Sequence, residues 1–224
     1  MGQIGERIKE FHQLVPPGVE IVAVSKFHPA SMILEAYNAG QRSFGESRVQ
    51  EFVLKYEELP KDIKWHFIGH LQTNKVKQVI GKTFLIESVD SLKLLEIINR
   101  ESEKANVVTK VLLQVHVASE ETKFGFFPQE LLEIIKQGSL ENFHSVEICG
   151  LMGMATNTDN IGQIRHDFST LHDLFDDIRN QNLPVLKNFE YLSMGMSGDW
   201  PIAVEEGSNI VRIGSAIFGD RVYT

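Results

Sequence analysis

Short apolar segments rich in β-branched residues alternate along the chain with segments in which apolar residues recur every three or four positions. Because the short segments are almost continuously apolar, both faces of each are expected to be covered, as in a buried strand. They predict eight strands, over Ile21–Ser25, Arg42–Gly45, Trp65–Ile68, Thr83–Glu87, Val107–Val117, Ser145–Met152, Glu190–Ser193 and Ile210–Ile213.

The segments between these strands have the spacing of amphipathic helices. The longest is predicted from about Gln163 to Gln181. The apolar residues on its buried face are Ile164, Phe168, Leu171, Phe175 and Ile178. A second helix begins near Ser91, where Asp90 and Ser91 are candidate N-caps. A third begins at Pro128, because proline is favoured at the first helical position.

Alternating strands and helices predict an α/β protein with a parallel sheet, and eight such units favour closure into a (β/α)8 barrel, the TIM barrel. An open, doubly wound sheet is the alternative. No linker, low-complexity tract or change in composition divides residues 1–224, so a single domain with an extra amino-terminal helix is expected. Barrels of this kind carry their sites at the carboxyl ends of the strands and often bind phosphate after strands seven and eight.

Composition narrows the possible partners and compartment. The chain carries 30 acidic and 22 basic residues, a net charge of -8, which argues against nucleic acid as the main partner. Its single cysteine, Cys149, lies in an apolar run and is interpreted as a core residue, which fits a reducing compartment. The amino terminus has neither a secretion signal nor a membrane span, so a soluble cytoplasmic protein is expected.

Lys26 is the most informative single residue. It comes directly after the apolar residues of the first predicted strand, Ile21–Ser25, at the rim where a barrel carries its site. Desolvation at such a position favours the neutral amine, which is the form that makes an imine with an aldehyde. A solvated rim lysine or a salt-bridge partner also fits, so this strand alone leaves the role of Lys26 open.

The seventh and eighth predicted strands both end in small or hydroxyl residues. Ser193 closes the seventh, and Gly214 and Ser215 follow the eighth. Glycine lets the backbone approach a ligand closely, and neighbouring N–H groups and hydroxyls can hold phosphate oxygens. Ordinary strand-to-helix turns have the same composition, but two such turns on these two strands indicate an anion site.

Arg212 lies inside the last apolar strand, and a buried arginine requires a partner. Two partners fit. One is a structural carboxylate such as Glu205 or Glu206, and the other is an acceptor on a ligand in the barrel mouth.

Six segments together resemble the pyridoxal phosphate homeostasis protein family, in the family's order and over nearly the whole chain. They are AVSK at 23–26, FGESRVQE at 44–51, WHFIGHLQTNK at 65–75, GLMGM at 150–154, LSMGMS at 192–197 and VRIGSAIFG at 211–219. Ser47 is a departure, since many members have asparagine at this position. The segment before the first strand is also shorter than in many members.

This resemblance implies a barrel like the N-terminal domain of alanine racemase, with pyridoxal 5'-phosphate (PLP) bound as a Schiff base to Lys26. It implies that Ser193, Gly214 and Ser215 hold the phosphate and that Arg212 faces the pyridine nitrogen. Because guanidinium does not readily yield a proton, a nitrogen facing Arg212 should stay unprotonated and the ring should be a weak electron sink. No catalytic residue is therefore expected.

The resemblance implies a non-catalytic carrier in intracellular PLP homeostasis, which is expected to be a monomer. Delivery of PLP to apo-enzymes would fit this role. A PLP-dependent amino-acid racemase is the alternative, and it needs a second base. Alanine racemases take that base, a tyrosine, from a second domain, for which a chain ending at Thr224 is expected to leave no room. None of the tyrosines, Tyr37, Tyr56, Tyr191 and Tyr223, stands out as that base.

Two histidines and two lysines are further candidate ligands. His66 and His70 are four residues apart, but Gly69 indicates a strand leading into a loop rather than a metal-binding helix, so no metal is expected. Lys75 and Lys123 could serve as secondary anion contacts, but solvated lysines are the commoner outcome, so neither is assigned to the core site.

Overall fold

Eight parallel strands close into a barrel in the computed structural model, which describes residues 2–120 and 124–219. Each strand pairs with the next in sequence, and the eighth pairs with the first through Ile21 and Val211. The strands are β1 (Glu20–Val24), β2 (Ser43–Glu46), β3 (Lys64–Phe67), β4 (Leu85–Val89), β5 (Thr109–Val115), β6 (Val146–Gly153), β7 (Tyr191–Met196) and β8 (Ile210–Ile213). The predicted (β/α)8 barrel is confirmed, and the open sheet is excluded.

Helices cover the outside of the barrel. They are α1 (Gln3–Leu14), α2 (Ala30–Asn38), α3 (Val49–Glu58), α4 (Leu92–Lys104), α5 (Pro128–Lys136), α6 (Ile161–Arg179), α7 (Trp200–Glu205) and α8 (Ser215–Phe218). Short 3-10 helices span Thr73–Gln78 and Pro184–Leu186. Ser91 caps α4 by accepting from the Leu94 N–H at 3.3 Å, as predicted, whereas Asp90 instead accepts from the His70 ring.

Apolar side chains fill the layer between barrel and helices and also the lower part of the barrel interior. In the outer layer, Phe52 of α3 packs edge-on against Trp65 of β3, with ring centroids 5.9 Å apart. A separate interior cluster contains Val22, Leu85 and Cys149. Cys149 is buried, as the core interpretation predicted. Burial, with the nearby Glu147 carboxylate, raises the pKa of its thiol to about 12, so the thiol stays protonated.

Strand β7 runs three residues beyond its predicted end at Ser193. Its pairing with β8 shifts register between Ser193 and Met196, and Gly195 in this stretch has a φ of +94°. The irregular stretch resembles a turn in sequence because it combines glycine with polar residues. Ser193 therefore lies inside the strand and not in the turn that leaves it.

The amino-terminal helix α1 packs against α2 and α8, which confirms the predicted extra helix. Glu35 of α2 accepts from the backbone N–H of Ile4 at 3.1 Å. Arg7 donates to the carbonyl of Ile217 in α8 at 3.1 Å. Among the helices of the described ranges, none is both long and apolar enough to cross a membrane.

Candidate functional site

A cavity of about 310 Å³ opens at the carboxyl ends of the strands, within the size range of small-molecule pockets. Its wall includes Lys26 after β1, Arg212 of β8 and the turn that follows β8. Most of its polar groups come from strands one, seven and eight or the turns that follow them, and closure of the barrel makes these strands neighbours.

The turn after β8 forms one side of this cavity. Gly214 and Ser215 lie in the wall beside Ser197, whose Oγ accepts from the Gly214 N–H at 3.2 Å. The helix α8 begins at Ser215, and the first N–H groups of a helix have no partner within it. Backbone donors and two hydroxyls thus line this side, a combination that suits an anion.

Ser193 does not lie in the cavity wall, unlike the other residues that the resemblance assigned to the phosphate. The side chain is fully buried beneath the wall, where its Oγ donates to Glu87 Oε2 at 2.6 Å and accepts from Arg212 Nη1 at 2.5 Å. Because β7 extends to Met196, the turn that leaves the strand begins at Ser197, and the hydroxyl of Ser197 lies in the wall instead.

Arg212 is buried and contributes to the cavity wall. Its Nη2 donates to the carbonyl of Gly153 at 2.9 Å, and its Nη1 lies 3.7 Å from Glu87 Oε2. Burial lowers the pKa of Arg212, against the opposing charges of Glu87 and Asp199. A guanidinium nevertheless keeps its proton in proteins, so Arg212 is a fixed donor.

The carboxylate that pairs with Arg212 is Glu87 of β4, not Glu205 or Glu206 as the sequence suggested. Those two residues lie at the end of α7 and bind Arg165 of α6, with 2.6 Å between Arg165 and Glu205. The sequence alternative failed because proximity along the chain does not reveal a partner that lies across the barrel.

Glu87 joins Arg212, Ser193 and His66 into a buried cluster, here called the Arg212 network. His66 Nδ1 lies 2.6 Å from Glu87 Oε1 and is the donor, because a carboxylate can only accept. Burial raises the pKa of Glu87, but the hydrogen bond and charge of His66, the charge of Arg212 and the Ser193 hydroxyl outweigh it. The pKa of Glu87 therefore lies below its ordinary value, and the carboxylate is ionised at neutral pH.

A second buried cluster, here called the Lys55 network, lies under the turn that carries Lys26. Lys55 Nζ donates to Glu46 Oε1 at 2.7 Å, to the Ser25 carbonyl at 2.9 Å and to Glu51 Oε2 at 3.3 Å. The Ser25 hydroxyl also donates to Glu46 Oε1, at 2.6 Å. Burial raises the pKa of Glu46 above its ordinary value despite the opposing pull of Lys55 and Ser25.

Comparisons with known proteins agree with this arrangement. The family model for the alanine racemase N-terminal domain matches residues 1–222. A pyridoxal phosphate homeostasis protein of Aquifex aeolicus is 40% identical over 227 residues, covering 100% of this chain and 97% of that protein. One of Schizosaccharomyces pombe is 40% identical over 207 residues, covering 91% and 84%.

The chain belongs to the pyridoxal phosphate homeostasis protein family, within the alanine racemase N-terminal domain group.

A solved structure related to this family shows the same fold at high coverage. PipY of Synechococcus elongatus PCC7942, described with PLP bound, is 38% identical with a TM-score of 0.87. The match covers 97% of this chain and 100% of PipY. The resemblance inferred from the six sequence segments is thereby confirmed.

Of the five residues that the family resemblance assigned to the cofactor, four come together in the cavity wall: Lys26, Arg212, Gly214 and Ser215. Sequence reasoning missed Ser197 as a member of this site, although the segment LSMGMS ends in that hydroxyl. It also missed Glu87, for which a carboxylate inside an apolar strand was the available signal.

The loops after β2 and β3 complete the cavity wall. Ser47 lies in the wall next to Gly69, where an added Cβ would approach the Ser47 carbonyl oxygen to 2.3 Å. Only glycine therefore allows these two loops to meet. Lys75 lies in the 3-10 helix Thr73–Gln78 and not in the wall, and Lys123 lies outside the described residues.

The two histidines with possible metal spacing lie in different surroundings. His66 is buried in the barrel with Glu87, whereas His70 is at the surface with Nδ1 2.8 Å from Asp90 Oδ2. In the part of the chain that the structure describes, no group of three or more potential metal ligands comes together.

Proposed function

We propose that this chain binds PLP in the cavity, holds it covalently through the Lys26 amine and serves PLP homeostasis without catalysing a reaction. The main support for the proposal is that three groups in the cavity wall match the aldehyde, the phosphate and the pyridine nitrogen of the cofactor. Lys26 offers a primary amine, the turn at Ser197, Gly214 and Ser215 offers donors to an anion, and Arg212 offers a fixed cation. The relatives named above, and PipY with PLP bound, support the binding of PLP and a role in its homeostasis.

When bound, PLP supplies an aldehyde that condenses reversibly with an amine and a pyridine ring that can withdraw electrons. Arg212 keeps its proton and donates a hydrogen bond, so an acceptor facing it receives no proton. Glu87, 3.7 Å from the guanidinium, supplies its counter-charge. We therefore expect the chain to hold its cofactor with little activation for general amino-acid chemistry.

A racemase is the second candidate, because the alanine racemase N-terminal domain shares the fold. Racemisation needs a second proton-transferring group opposite the lysine. Among the residues described, the tyrosines lie away from the cavity wall: Tyr37 donates to Asp62 at the surface, and Tyr191 packs at the interior apolar cluster. This placement supports the carrier over the racemase.

The decisive experiment is to mix the purified protein with PLP, reduce the mixture with borohydride and map the modified peptide by mass spectrometry. We expect a yellow protein with one modified lysine, Lys26. Lys26→Ala should stay colourless and unmodified, while Lys75→Ala, which alters a partly buried lysine outside the wall, should behave as wild type. Colour and a trapped adduct that survive in Lys26→Ala would refute the assignment.

The same preparation separates the two candidate functions. A carrier should pass PLP to an apo-enzyme and leave L-alanine unchanged, whereas steady formation of D-alanine would favour the racemase.

We also expect a cytoplasmic monomer, and light scattering on the purified chain measures its oligomeric state.

A further inference from the structure

The turn that carries Lys26 has an unusual backbone. Ser25–His28 is a β-turn closed by the His28 N–H donating to the Ser25 carbonyl at 3.1 Å. Its third residue, Phe27, has a φ of +66°. Glycine or asparagine normally occupies such a position, because a bulky side chain is strained there. Strain of this kind persists only where the surroundings hold it, and it concentrates at functional sites.

Helix α3 supplies the groups that hold this turn. Glu51 Oε2 accepts from the Phe27 N–H at 2.8 Å, and Lys55 Nζ donates to the Ser25 carbonyl at 2.9 Å. The two side chains are also paired with each other at 3.3 Å. The turn is therefore held on both sides of Lys26: a cation binds the carbonyl before it, and a carboxylate binds the N–H after it.

Two further contacts connect Glu51 and Lys55 to other parts of the protein. The Arg48 guanidinium lies over the Phe27 ring, 4.2 Å from its centroid, and 3.6 Å from Glu51. Lys55 is anchored in turn by the fully buried Glu46 at the end of β2. Since Glu46 belongs to a neighbouring strand, the position of the turn is fixed relative to the barrel and not only to its own strand.

We propose that Glu51 and Lys55 are positioning residues for Lys26: they hold the strained turn and thereby direct the amine into the cavity. The inference rests on the proposed covalent binding of PLP at Lys26. Neither residue lies in the cavity wall, so each would act through the backbone of the turn. Without them Phe27 would relax toward negative φ, and the amine would sample other directions.

The test measures how fast the yellow colour develops when each purified variant is mixed with PLP, at equal concentration of folded protein. Glu51→Ala and Lys55→Met should slow it on the order of ten- to hundredfold, since misplacing a reacting group by about 1 Å has an effect of this size. Glu51→Gln should stay within about threefold of wild type, because its amide oxygen still accepts the Phe27 N–H.

A rescue variant separates positioning from simple destabilisation. Asparagine tolerates positive φ, so Phe27→Asn introduced into Glu51→Ala should recover most of the lost rate. The control is Ser102→Ala, which removes a buried 2.7 Å hydrogen bond to Thr109 on the first residue of β5, away from Lys26. It should lower stability and leave the PLP rate unchanged.

The outcomes distinguish this inference from the function on which it rests. If wild-type protein remains colourless with PLP, the proposed function fails. If wild type turns yellow while Glu51→Ala and Lys55→Met do so equally fast, the positioning role alone is overturned. The positioning role would also be overturned if Ser102→Ala lowered both the stability and the rate of PLP binding. The rate would then depend on stability in general and not on the turn.

Discussion

The Lys55 network and the Arg212 network each bury one carboxylate completely, yet they shift its acidity in opposite directions. Both oxygens of Glu87 have partners, namely the His66 ring on one side and Ser193 on the other. Glu46 has all its contacts on Oε1, and Oε2 has no hydrogen-bond partner among the described residues. Burial alone therefore does not decide the direction of the pKa shift. Each carboxylate accepts two hydrogen bonds, so the difference lies in the surrounding charges: Arg212 adds to the effect of His66 on Glu87, whereas the Glu51 carboxylate opposes that of Lys55 on Glu46.

The difference suits the different tasks proposed for the two networks. Arg212 needs a permanent counter-charge, because its guanidinium stays charged in the barrel interior. Lys55 instead divides its contacts between two carboxylates and a backbone carbonyl, so no single one of them must carry the whole charge. We expect the Arg212 network to be the less tolerant of substitution.

Glu87→Gln should have the largest effect. The amide keeps the shape of the side chain but leaves Arg212 buried without its counter-charge, which should lower the free energy of unfolding by about 3–5 kcal/mol. Urea unfolding at neutral pH measures this value. A loss below about 1 kcal/mol would show that Ser193 and the Gly153 carbonyl are sufficient for Arg212.

Lys55→Met should have an intermediate effect. It removes hydrogen bonds to charged partners, which are worth about 1.5–3 kcal/mol. Because the pKa of Glu46 is already raised, this carboxyl can take up a proton when its partner is lost, which limits the damage. The same urea experiment measures it, and a loss as large as that of Glu87→Gln would contradict the ranking of the two networks.

Glu46→Gln should have the smallest effect at neutral pH, about 1 kcal/mol or less, because the amide still accepts from Ser25 and Lys55. Its pH dependence should be opposite to that of Glu87→Gln. The raised pKa of Glu46 gives the fold stability that is present below the ordinary value of 4.5 and is lost as pH rises through the folded pKa. The lowered pKa of Glu87 gives stability that is present above 4.5 and is lost as pH falls through the folded pKa.

Unfolding free energies measured from acid to neutral pH check these signs. Relative to wild type, Glu46→Gln should gain stability as pH rises, and Glu87→Gln should lose it. If the unfolding free energies of the two variants changed with pH in the same way, the two carboxylates would titrate alike. The proposed contrast between the Lys55 network and the Arg212 network would then be wrong.

Local pattern was enough to predict the barrel, because each strand and helix carries its own periodicity and the closed sheet follows from their alternation. The ends of the elements were less well predicted. The last strand was bounded correctly at Ile210–Ile213, while β7 was ended three residues early at Ser193. An irregular strand that contains Gly195 has the composition of a turn, so the sequence placed Ser193 at a turn although its side chain lies in the barrel interior.

Within the site, sequence identified residues that follow strands but not the partners that lie across the barrel. Lys26 and Gly214 could be predicted because each directly follows an apolar strand. The pairing of Arg212 with Glu87 joins β8 to β4, and nothing in the spacing of these residues indicates it. The hydrogen bond from the Phe27 N–H to Glu51 depends on the positive φ of Phe27. The sequence does not indicate this angle, since phenylalanine does not favour it. That residues 1–224 form one domain remains a prediction.

The hydrogen bond from Arg7 to the Ile217 carbonyl joins residues 210 positions apart. It joins α1 to the short helix α8, which begins at the turn that contains Gly214 and Ser215. Segments with few buried contacts open most readily in native-state fluctuations. Because α1 and α8 restrain each other, they should open as one cooperative unit, and a change that loosens α1 would therefore also be felt at the wall of the cavity.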